Sequence, residues 1–148
     1  MKYLAFLCSI ILTVLLFGYC SQPNNETSTD KKTNIVNPNG DSELALFMRY
    51  MYDDCMRVKT GIEEGGAETL EFDPDKMFTA HATEPEKAAS EAYQQMGKAY
   101  LAAHEAYQRA QGDDKKALFT GLVNNCIACH QQLCPGPIRK INNLHFEN

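Results

Sequence analysis

Five consecutive residues carry the most specific chemistry in this chain: Cys126-Ile127-Ala128-Cys129-His130. Residues i and i+3 share a helix face. Both thiols can therefore reach the two vinyl groups of a single haem and form thioethers, which is the c-type haem attachment pattern. The next residue, His130, would then lie beneath the iron, where a neutral imidazole nitrogen is a good ligand. Covalent attachment keeps a haem bound even in a small domain with a partly open pocket. Two other chemistries use similar residues. A thiol–disulfide pair of the thioredoxin kind needs a strand before a helix start, whereas this motif falls near a helix end. A zinc site needs a second Cys or His pair at matching spacing, and the sequence has none.

The elements that must position this motif read as helices. Leu44, Met48, Met51, Cys55, Val58 and Ile62 repeat with spacings of 4, 3, 4, 3 and 4. That is one apolar stripe on a helix from about Asp41 to Glu64, stopped by Gly65-Gly66. Asp73-Pro74 reads as an N-cap and first turn of a short helix carrying Met77 and Phe78. Thr83-Glu84-Pro85-Glu86 has the form of a capping box, from which a long helix should run to about Gln111. Its seam of Ala89, Ala92, Met96, Ala99, Ala103, Ala106 and Ala110 would admit another helix closely, with Tyr93, Tyr100 and Tyr107 beside it. Gly112 ends that helix and Asp113 can cap the last one, on which Leu118, Leu122, Cys126, Cys129 and Leu133 share a face. Pro135-Gly136-Pro137 terminates it, because proline lacks the amide donor and clashes with the preceding turn. Beyond it, Ile138, Ile141, Leu144 and Phe146 could pack a short tail back. No stretch shows sustained strand alternation. The expected fold class is all-α, an antiparallel four-helix bundle with the CxxCH on the C-terminal helix.

A chain of 148 residues allows one ordinary domain. The formal net charge is −5 and no basic run exceeds two residues, which excludes nucleic acid as an expected partner. Lys2 followed by the apolar run Tyr3 to Phe17 reads as a secretory leader, too short for the roughly 20 residues that cross a bilayer. Cys20, following Leu16-Phe17-Gly18-Tyr19, resembles the acylated cysteine of a bacterial lipoprotein signal. Tyr19 departs from the small residue usual before that Cys. Residues 1–19 are then a signal peptide and residues 20–40 a lipid-tethered linker, Ser/Thr/Asn/Pro-rich and unable to bury a core. As a coil, Ser21 to Gly40 would span about 25 Å. Residues 41–148 form the haem-binding domain. Export permits a Cys55–Cys134 disulfide, the alternative being two unpaired thiols acting as small apolar residues.

A helical bundle with CxxCH on its last helix resembles the class II c-type cytochromes, the cytochrome c′ group, over Asp41 to Leu133. Three features depart from that pattern: Glu84-Pro85-Glu86, Cys134-Pro135-Gly136-Pro137 and a short second helix. The resemblance implies one covalent haem c and a first helix that supplies the far side of the iron. Met48 stands where the low-spin carriers place a methionine, with Met51 one turn later as the alternative. An axial Met stabilises ferrous iron and suits single-electron transfer outside the inner membrane. An apolar residue there would instead leave iron five-coordinate for a diatomic gas such as NO or CO, the second reading of function. The resemblance further implies redox protein partners and a homodimer formed through the first two helices. A third reading makes the chain a lipoprotein interaction module with a merely structural CxxC. His81, His104 and His145 have no partner at ligand spacing. No catalytic triad, paired-acid site or phosphate loop is visible, so an electron carrier is expected rather than an enzyme.

The mature chain should begin at an acylated Cys20. Intact mass measurement and metabolic lipid labelling check this: Cys20→Ser should carry no lipid and should leave the membrane fraction. A mature chain cleaved elsewhere and free of lipid would sink the tether.

Overall fold

The structure, a computed structural model, describes residues 41–147. The leader, the acylation site at Cys20 and the linker to Gly40 lie outside the described residues. Among the described residues, six α-helices and one 3₁₀ turn follow in order: α1 Glu43–Glu63, α2 Lys76–Thr79, α3 Pro85–Ala88, α4 Glu91–Arg109, α5 Asp114–Leu133, α6 Ile138–Ile141, and the turn Asn142–Leu144. The described residues contain no strand, so the all-α expectation holds. Three helices are long and three have four residues each. None is long and apolar enough to cross a membrane.

Helix α1 starts at Ser42, whose Oγ accepts the Ala45 N–H at 3.2 Å. It buries Phe47, Met51, Cys55 and Val58, with Leu44, Met48 and Ile62 packed partly against the core. The stripe read from the sequence is therefore the buried face. Gly65 (φ 82°) ends α1 and Gly112 (φ 57°) turns the chain between α4 and α5, both in the left-handed region that glycine adopts without a Cβ clash.

The expected single helix from Thr83 to about Gln111 is divided. It breaks at Ala89-Ser90, and Ser90 is the cap of the long piece. Its Oγ accepts the Tyr93 N–H at 3.2 Å and its hydroxyl donates to the Lys87 carbonyl at 2.6 Å. A serine hydroxyl thus offers the backbone an alternative to continuing the helix. The face of α4 also differs from expectation. Tyr93, Gly97, Tyr100, His104 and Tyr107 are buried, and Ala99 of the alanine seam is exposed. The tyrosines have far more apolar area to remove from water, and two of their hydroxyls find backbone acceptors, Met77 O for Tyr93 and Glu68 O for Tyr107.

Helices α4 and α5 form the most extensive pairing in the domain, joined by a four-residue link as an αα-hairpin. The buried face of α5 is Lys115, Phe119, Leu122 and Val123, one position round from the expected stripe, and Leu118 is left exposed. Lys115 can be buried because its ammonium donates to Glu68 O at 2.7 Å and lies 4.6 Å from the centre of the Tyr107 ring. The tail packs back as expected: Ile141 and Leu144 are buried, and the Phe146 ring lies 5.6 Å from that of Phe119.

His104 is a core histidine, 8% exposed, with its ring 5.2 Å from Phe72 and no partner for Nε2 among the described residues. Burial lowers its pKa from 6.5, against the opposing pull of Asp54 and Asp73. The unfolded chain then binds the proton first, so stability falls as pH drops below 6.5 toward the lowered folded value, by at most about 1.4 kcal/mol per pH unit. In denaturant titrations from pH 7 to 5 the natural chain should lose stability relative to His104→Gln. A difference independent of pH would contradict this.

Candidate functional site

The motif occupies the last turns of α5. Positions 126, 129 and 130 fall within about 100° of arc on a helix, and Phe119, Leu122 and Val123, all fully buried, fix the rotation of α5 about its axis. Cys126, Cys129 and His130 consequently line one cavity of about 350 Å³. This lies within the roughly 300–1,000 Å³ usual for ligand and cofactor sites. Helix α1 contributes Met48, Met51, Tyr52 and Cys55 to the wall, and α4 contributes Tyr93 and Tyr100. A smaller adjoining chamber of about 30 Å³ is bordered by Met48, Met51, Met77 and Met96 together with the motif residues. The structure thus brings together the two thiols, the imidazole and both candidate methionines.

His130 Nδ1 lies 3.1 Å from the Cys134 carbonyl and 3.3 Å from its Sγ. A carbonyl oxygen only accepts, so this contact puts the ring proton on Nδ1 and leaves the Nε2 lone pair for a metal. The carbonyl is within reach because α5 ends there, with Cys134 at φ −157° and ψ 82° ahead of Pro135. Burial lowers the His130 pKa, partly offset by the Cys134 carbonyl, which keeps the ring neutral. Such an outer hydrogen bond orients a ligating histidine.

Burial pushes the Cys126 thiol up to about 12, with a smaller push from Cys129. Burial, then Cys134, pushes Cys129 up to about 11. A thiol–disulfide catalyst needs the opposite shift, and no strand precedes α5 among the described residues. No group of three or more His, Cys, Asp or Glu side chains among the described residues converges as a zinc site requires. The donor set does fit a haem attached by two thioethers. The Tyr100 hydroxyl points the same way. It is 3% exposed, in the cavity wall, and without a partner among the described residues. An unmade buried hydrogen bond costs about 1–3 kcal/mol, which is relieved if the wall faces a bound group with polar atoms.

The other expected residues divide between the cavity wall, which includes Cys55 and Cys134, and the rest of the domain. Cys55 and Cys134 are both free thiols in the structure; Cys55 is buried on α1 and Cys134 is exposed at the end of α5. Their separate placements follow from α1 burying its stripe while Pro135 turns the chain outward. His104 does not line the cavity, and His81 is exposed and bonded to Glu43. Sequence reasoning missed Tyr52, Tyr100, Lys87, Lys140 and Ile141 as wall residues. Only the tyrosine heptad spacing on α4 hinted at one of them.

Comparison with protein-family models, curated proteins and solved structures gives no match.

The thiols of Cys55 and Cys134 should differ sharply in reactivity. Alkylation of the folded chain, mapped by mass spectrometry, should modify Cys134 roughly tenfold or more faster than Cys55, which is buried and whose pKa burial raises well above 9.0. Equal rates would mean that α1 does not bury Cys55 as described.

Proposed function

We propose that this protein is a c-type cytochrome that carries single electrons outside the inner membrane, tethered there by lipid on Cys20. Cys126 and Cys129 hold one haem covalently and His130 is its proximal ligand. The observation that carries the reading is the shared cavity: two thiols one helical turn apart, an imidazole with Nε2 free, and thioethers from a second helix. Bound there, haem would supply a one-electron couple at its iron.

The chain's own contributions follow from the wall. His130, held by the Cys134 carbonyl, presents Nε2 in a fixed orientation. The apolar lining excludes water and lowers the local dielectric, which lets the surroundings tune the potential. Met48 is the proposed sixth ligand and Met51, one turn on, the alternative. The presence of both on the cavity wall favours an electron carrier over a five-coordinate gas binder. We further read α1, α4, α5 and the 65–90 segment as a four-helix bundle whose second helix is reduced to α2 and α3.

Expression with a haem-attachment system, followed by intact mass and visible spectra, tests the reading. The natural chain should gain the mass of one haem, and Cys126→Ala with Cys129→Ala should gain none. Met48→Ala should turn a low-spin oxidised spectrum high-spin and lower the potential. No added haem would end the cytochrome reading. A high-spin natural protein indifferent to Met48→Ala would replace the carrier with a gas-binding protein.

A further inference from the structure

The cavity wall includes a segment beyond the reach of the family resemblance. Pro137, Lys140, Ile141 and Leu144 all line it. This segment is held firmly: Ile141 and Leu144 are buried, Lys59 Nζ donates to Asn143 O at 3.0 Å, and Phe146 packs on Phe119. Its one charged wall residue is Lys140. The ammonium lies 4.3 Å from the centre of the Tyr52 ring, itself a wall residue, and has no carboxylate partner among the described residues.

The other cations of the wall are already compensated. Arg49 pairs with Asp41, and Lys87 pairs with Glu84 at 2.7 Å. With those two pairs set aside, Lys140 is the wall cation left without a carboxylate partner among the described residues, in a chain whose formal net charge is −5. An ammonium placed by an aromatic face at the rim of an apolar cavity is suited to the anionic end of an amphiphilic ligand.

We propose that the C-terminal segment is the carboxylate clamp of the site, with Lys140, positioned over Tyr52, receiving a carboxylate of the bound group while that group's apolar body fills the cavity. This rests on the cytochrome reading, in which the group is haem and the carboxylate one of its propionates. Helix α6 then has a purpose that its place outside the bundle leaves unexplained: it closes the cavity with Ile141 and presents the cation beside it.

The test is the midpoint potential of the haem-loaded protein, with haem content read separately by mass. Lys140 is exposed, so its variants should fold. Lys140→Met should stabilise the oxidised form, raising the oxidised-to-reduced ratio at a fixed electrode potential roughly threefold, and Lys140→Glu roughly tenfold. Lys140→Arg should behave as the natural chain. Lys87→Met, which removes a cation already paired, should move the ratio less than Lys140→Met. Haem attached in full, with Lys87→Met and Lys140→Met shifting the potential equally or not at all, would overturn the clamp and leave the cytochrome reading standing. No haem on the natural chain would overturn both.

Discussion

The site depends on the rotational setting of α5. Two thiols and an imidazole at positions i, i+3 and i+4 face one cavity only if the helix stays regular through Leu133 and cannot turn about its axis. Phe119, Leu122 and Val123 supply that constraint by filling the core without any exposed surface. Tyr107 meets Phe119 edge-on at 5.8 Å, and Phe146 packs on the same ring from the tail. Close-packed interiors transmit small shifts, so the position of His130 is fixed from about two to three turns away. The pairing of α4 with α5 serves this end more than it encloses the cavity.

A second constraint concerns residues 65–75, the irregular chain between α1 and α2. Their backbone groups must be satisfied without a ladder. Side chains do this. Gln108 both donates to and accepts from Leu70, Asp54 accepts the Glu71 N–H at 2.7 Å, and Arg57 donates to the Thr69 carbonyl. Lys115 and Tyr107 converge on the Glu68 carbonyl. Asp54 is itself buried and paired with Arg57, which relieves the cost of an isolated internal charge. These contacts hold Leu70 and Phe72 in the core, so α1 and α4 remain supported where no full helix lies between them.

The helical content was legible because apolar spacing of 3 and 4 reports a face directly. On α1 the stripe from Leu44 to Ile62 matched the buried side, since its large residues outweigh everything else on that helix. On α4 the same arithmetic selected the alanines, which lie on a neighbouring face. Spacing alone does not weigh side-chain area, and the tyrosines had more to gain from burial. The break at Ser90 escaped notice for a similar reason: the Glu84-Pro85-Glu86 signal dominated, and a serine can cap either of two adjacent starts. On α5 the apolar spacing includes Leu118, whereas the structure leaves Leu118 exposed and buries Lys115. Only its contacts with Glu68 O and Tyr107 make that burial tolerable.

By itself, the sequence determined the covalent chemistry open to this chain. The order Cys-x-x-Cys-His is a local property, and any regular helix gathers those three groups on one side. The sequence also determined where helices α1 and α5 run, because their periodicity and stop signals are local too. What faces the motif was decided only by tertiary structure. Met48, Met51, Tyr100 and Lys140 come from separate elements, and their convergence depends on helix rotation and packing that no window of sequence contains. The proton position on His130 was decided there as well, because it depends on where the chain turns after Leu133 and leaves the Cys134 carbonyl.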